Sequence, residues 1–80
     1  MYLSELSGKI THLRYATKRG KRYFFSAWIN KVFTGIVIDF NSGQPEITLN
    51  PEPNKKHGLD KEQENILLQH CINIFADKIK

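Results

Sequence analysis

Apolar and polar positions alternate with a period of two over most of the first fifty residues, and a period near 3.6 takes over from Asp60 onward. The first pattern is that of half-buried strands and the second that of an amphipathic helix. Lys21–Ile29 and Val32–Phe40 are rich in aromatic and β-branched residues, with Asn30-Lys31 between them. Asn tolerates positive φ, so a two-residue turn is expected there. That turn pairs Ile29 with Val32, Phe25 with Ile36, Tyr23 with Ile38 and Arg22 with Asp39. Upstream, Lys9–Ala16 reads as a strand, and Lys18-Arg19-Gly20 suits a three-residue loop that sets Tyr15 opposite Tyr23 and Leu13 opposite Phe25. Downstream, Asn41-Ser42-Gly43-Gln44 turns the chain into Glu46–Asn50. Ile47 then faces Ile38, Leu49 faces Ile36, and Asp39 lies beside Glu46, a like-charge pair.

The helix is expected over Asp60–Ile79. Asp60 caps it, and Gln63 three residues on completes a capping box. Glu62 and Glu64 fall in the first turns, with Lys78 and Lys80 in the last, as the helix dipole favours. Leu67, Leu68, Cys71, Ile72, Ile74, Phe75 and Ile79 form the apolar stripe. Twenty helical residues span about 30 Å, enough to cross a four-stranded sheet. The expected fold class is therefore α+β: an antiparallel four-stranded β-meander with one C-terminal amphipathic helix packed on one face, in one domain covering residues 1–80.

Strand alternation sorts the sheet into two faces. The first carries Leu13, Tyr15, Tyr23, Phe25, Ala27, Ile36, Ile38, Phe40, Ile47 and Leu49. The second carries Ile10, His12, Arg14, Arg22, Phe24, Ser26, Trp28, Phe33, Gly35, Val37 and Thr48. One helix covers one face, and the first is the better core. The second then presents Phe24, Trp28, Phe33 and Val37 around a dip at Ser26 and Gly35. An apolar patch of this kind marks an interface or a ligand site. Two occupants from the chain itself stand beside an external partner: an N-terminal cover made of Tyr2, Leu3 and Leu6, or a second copy in a homodimer.

Charge sharpens this picture. The net charge is +4, with twelve Lys and Arg against eight Asp and Glu. From Leu6 to Ile38 stand Lys9, Arg14, Lys18, Arg19, Lys21, Arg22 and Lys31, and no acid. Such segregation suits an anionic partner at the basic end. Basic residues interleaved with aromatics suit single-stranded nucleic acid, in which phosphates meet cations and bases stack on rings. The candidate binding residues are Arg14, Lys18, Arg19, Lys21, Arg22, Lys31, Phe24, Trp28 and Phe33. The expected partner is DNA or RNA. The alternative is an acidic protein groove, with the chain as a small inhibitor or adaptor of the kind mobile elements encode.

The chemistry-bearing residues point away from catalysis. His12, His57, His70 and Cys71 have no metal-ligand spacing, and neighbours on a helix point about 100° apart. Cys71 lies on the apolar stripe and reads as core. There is no nucleophile with an adjacent base, no phosphate-cradling glycine loop and no carboxylate pair beyond Asp39 and Glu46. No cofactor, metal or catalytic residue is expected. One cysteine excludes an internal disulfide, which suits a reducing, cytoplasmic location. Neither a signal peptide nor a membrane span is expected.

The order of four antiparallel strands then a C-terminal helix, with Ile47-Thr48-Leu49-Asn50-Pro51-Glu52 at the junction, resembles the single-strand-DNA-binding transcriptional coactivators of the positive-cofactor type. In that family a similar string ends the last strand and the helix drives dimerisation. The resemblance covers six residues, and Pro53 to Leu59 intervene before the helix, a departure from the family's pattern.

Overall fold

The computed structural model of the chain describes residues 8–79. Four strands form one antiparallel sheet in sequential order: β1 (Ile10–Arg19), β2 (Arg22–Ile29), β3 (Val32–Asp39) and β4 (Glu46–Pro51). A single helix, α1 (Lys61–Ile74), follows. The expected α+β meander with one C-terminal helix is the observed architecture.

The turns set the register. Asn30 and Lys31 both take positive φ, at 51° and 67°, the geometry of a tight turn whose twist matches the flanking strands. Ile29 therefore pairs with Val32, Phe25 with Ile36, Tyr23 with Ile38 and Arg22 with Asp39. The β3–β4 ladder is also as expected, with Ile38 opposite Ile47, Ile36 opposite Leu49, and Asp39 beside Glu46. The 41–44 turn closes on Asp39, whose carboxylate accepts from the Asn41 N–H at 2.7 Å, and on Gly43, whose N–H donates to the Phe40 carbonyl.

The first hairpin departs from expectation. Its turn is Gly20-Lys21, two residues rather than three, with Gly20 at φ 60° and Arg19 opposite Arg22. Two bulges in β1, between Thr11 and Arg14 and between Tyr15 and Thr17, then shift the register stepwise. Tyr15 pairs with Phe25, not Tyr23, and Tyr23 instead pairs with Lys18. Ile10 consequently lies opposite Ile29 and packs against the core, on the first face rather than the second. Each bulge adds one residue to β1, so the alternation changes phase along the strand.

The core lies between the first face and the helix. Tyr23, Phe25, Ala27, Ile29, Ile36 and Ile38 from the sheet meet Leu59, Leu67, Leu68 and Cys71, all buried. Phe75 packs on Phe25 with ring centroids 5.1 Å apart, and Tyr15 packs edge-on to Phe25 at 5.7 Å. Thr34 is fully buried on this face, and its hydroxyl donates to the Val32 carbonyl at 3.0 Å, which satisfies it internally. Cys71 is core, as expected, and burial pushes its thiol pKa up to about 12.

The helix starts where expected and stops early. The Gln63 N–H donates to the Asp60 carboxylate at 2.8 Å and the Asp60 N–H to the Gln63 side chain at 3.2 Å, a full capping box. The helix ends at Ile74 with Phe75 as its C-cap, 14 residues rather than twenty. Lys78 therefore follows the helix instead of closing it, and Lys80 lies outside the described residues. Ile74 leaves the stripe and is exposed, whereas Ile79 still reaches the core although it is no longer helical. The 52–60 connection is pinned to the β2–β3 turn. The Asn30 side-chain amide donates to the His57 carbonyl at 2.6 Å, and the Leu59 N–H donates to His57 Nδ1 at 2.9 Å.

Candidate nucleic-acid interface

With α1 on the first face, the second face of the sheet has no described element over it, and its residues fall into four columns. From the β1–β2 turn toward the β2–β3 turn, β2 presents Arg22, Phe24, Ser26 and Trp28. Their β3 partners are Asp39, Val37, Gly35 and Phe33. On the β1 side the partners are Arg19, Thr17, Arg14 and Thr11. On β4, Glu46, Thr48 and Asn50 lie opposite Asp39, Val37 and Gly35. Bases thus occupy the β1–β2 side and acids the β3–β4 side, with Asp39 and Glu46 at the far corner and Glu52, just past β4, accepting from the Phe33 N–H at 3.1 Å.

The aromatic residues concentrate at the β2–β3 turn. Trp28 and Phe33 pack edge to face with centroids 5.5 Å apart, yet are 42% and 45% exposed. Phe24 and Val37, opposite each other, are half-buried. Ser26 faces Gly35, where an added Cβ would meet nothing closer than the Asn50 carbonyl at 3.8 Å, so the expected dip is there.

The structure divides the candidate cations. Arg22 is held by Asp39, Nε to Oδ2 at 3.0 Å. The Asn41 N–H above all holds the Asp39 carboxyl below its ordinary range, against an opposing desolvation, and Arg22 adds a lesser lowering. Lys18 falls on the helix side, its ammonium 5.3 Å from the Tyr23 ring centre, so it does not belong to the second face. Arg14 and Arg19 face Ser26 and Arg22 across the ladder and form no ion pair with a described carboxylate. Lys31 sits in the β2–β3 turn beside the rings. The basic tip and the aromatic pair, expected on one surface, stand at opposite ends of it. Arg22 and Trp28 are six residues apart on one strand, about 20 Å.

At the aromatic end, sequence reasoning placed His12 on the second face but left Lys9 and Thr11 out of the candidate site. Lys9, Thr11 and His12 line, with Gly8, Trp28 and Lys31, an open hollow of about 450 Å³. The Asn30 N–H bonds the Lys9 carbonyl at 2.7 Å, which brings Lys9 to the β2–β3 turn. The signal was the pairing of the start of β1 with the end of β2, which the bulges concealed. The expected N-terminal cover, Tyr2, Leu3 and Leu6, lies outside the described residues. Among the described residues no three His, Cys, Asp or Glu are grouped to hold a metal, and no helix is long and apolar enough to cross a membrane.

No protein-family model, curated protein or solved structure matches this chain. The six-residue resemblance at the β4 junction therefore has no wider similarity behind it.

Proposed function

We propose that the chain is a nucleic-acid-binding module that takes an unpaired strand on the second face of its sheet. The observation that supports this reading is a sheet face with no described element over it, half-exposed rings at one end, cations along β1, and the acids Asp39, Glu46 and Glu52 on the β3–β4 side. A polyanion is drawn to the β1–β2 side and turned away from Asp39 and Glu46. Unpaired bases have free π-faces for Trp28 and Phe33, whereas duplex bases show only their edges. Four strands span about 19 Å, wider than the duplex major groove at about 12 Å, so the flat face does not enter it.

The test is titration with single-stranded and duplex DNA and RNA across a salt series. Each phosphate that the protein neutralises on a single strand contributes a slope of about 0.7, so about four of them give a slope near 3. The expected result is single-strand binding with that steep salt dependence. Absence of binding to any nucleic acid at low salt refutes the reading and transfers the face to an acidic protein groove. A second copy on the same face would compete with the strand, and sedimentation with and without oligonucleotide separates dimer from complex.

A further inference from the structure

The hollow beside Trp28 combines features that the rest of the face lacks. Its wall is a half-exposed indole, and Lys9, Lys31, Thr11 and His12 share its lining. No carboxylate lines it. Its volume of about 450 Å³ lies in the range of small-ligand sites, about 300–1,000 Å³. The backbone is bent to make it. His12 takes φ 56° inside the bulge that separates Thr11 from Arg14, a conformation uncommon for a residue with a Cβ. Bulges re-aim side chains, and backbone held in such a region is concentrated at functional sites.

We infer that this hollow is a single-nucleotide subsite: one unstacked base lies against Trp28, its flanking phosphate between Lys9 and Lys31, with Thr11 and His12 at the base edge. The inference rests on the proposed strand-binding role and adds to it the place where a base, rather than only the backbone, is held. Elsewhere the β1 side offers mainly charge, from Arg14 and Arg19, which positions a strand without reading it.

The subsite is tested with the full chain and two probes of equal charge, an oligothymidylate about eight nucleotides long and the same oligomer carrying abasic sites. Trp28 is the only tryptophan, so its emission reports the hollow directly. The thymidylate should quench Trp28 and bind about tenfold tighter than the abasic strand, the scale of one base–ring stack. His12→Gly keeps the positive φ accessible and removes the ring. It should narrow that difference while leaving the salt slope unchanged, and Lys31→Gln should lower the affinity of both probes. Circular dichroism confirms that each variant is folded. Equal affinity for the two probes overturns the subsite and leaves backbone binding intact. Failure of both probes at low salt overturns the strand-binding reading itself. A Trp28 emission shielded from acrylamide before any ligand is added shows the hollow already filled, and overturns the subsite as well.

Discussion

At the scale of single residues, the ladder ranks side chains that composition leaves equivalent. Arg14 and Arg22 are equivalent in composition, yet Arg22 lies 3.0 Å from the Asp39 carboxylate, the partner its register assigns it, and Arg14 faces Ser26. Arg14→Gln should therefore lower the salt slope of nucleic-acid binding by about 1, while Arg22→Gln should change it little. Salt-series titration of the two variants decides this. Asp39 also fixes a pH dependence. Its folded pKa lies below the ordinary value of 3.8, so its stabilisation is present above that value and is lost as pH falls through the folded pKa. Asp39→Asn should flatten the acid limb of a melting-temperature profile and leave the neutral region nearly unchanged. Cys71, buried and with its pKa raised to about 12, should react with a disulfide reagent only after unfolding. Rapid labelling of the native chain would contradict that placement. Cys71 was legible from its position on the apolar stripe. Lys18 was not, because only the true register of β1 puts it over Tyr23.

Among the elements, legibility followed turn chemistry. Asn30-Lys31 admits a tight hairpin, and with it the β2–β3 register, the Arg22–Asp39 pair and both central columns of the candidate interface could be read in advance. β1 resisted because Ile10-Thr11-His12-Leu13-Arg14-Tyr15 alternates regularly in sequence, and nothing in that alternation announces a bulge. The helix was overextended for a related reason. Ile74 and Ile79 continue the apolar spacing, although the chain leaves the helix after Ile74 and reaches the core with Ile79 through a turn. Its start was legible because capping is local chemistry. Asp60→Ala removes the acceptor for the Gln63 N–H and should cost about 1 kcal/mol, measurable by chemical denaturation. Gly58→Ala should cost at least as much. It sits at φ 76°, and an added Cβ would meet the Asn30 amide nitrogen at 3.0 Å, loosening the connection that the His57 carbonyl anchors.

For the whole molecule, the sheet acts as a two-sided plate, with α1 on one side and the proposed ligand on the other. An 80-residue chain has little stability to spare, so its exposed rings stand on a scaffold whose core is one helix deep. The bulges in β1 then have a consequence for the molecule among its own copies. β1 and β4 are the edges of an open sheet, and an open edge is a template on which further chains can add strand by strand into fibrils. β1 meets this hazard with two breaks in its ladder and with Arg14, Lys18 and Arg19. β4 meets it with only six residues, Pro45 just before it and Pro51 at its end. A chain with Ala16 deleted loses the extra residue of the second bulge, and a straightened β1 should recruit neighbours, raising thioflavin fluorescence in concentrated samples while the parent stays clear. The irregularity that hid this strand from sequence reading is, on this view, what keeps a sticky aromatic plate from polymerising while its proposed ligand is absent.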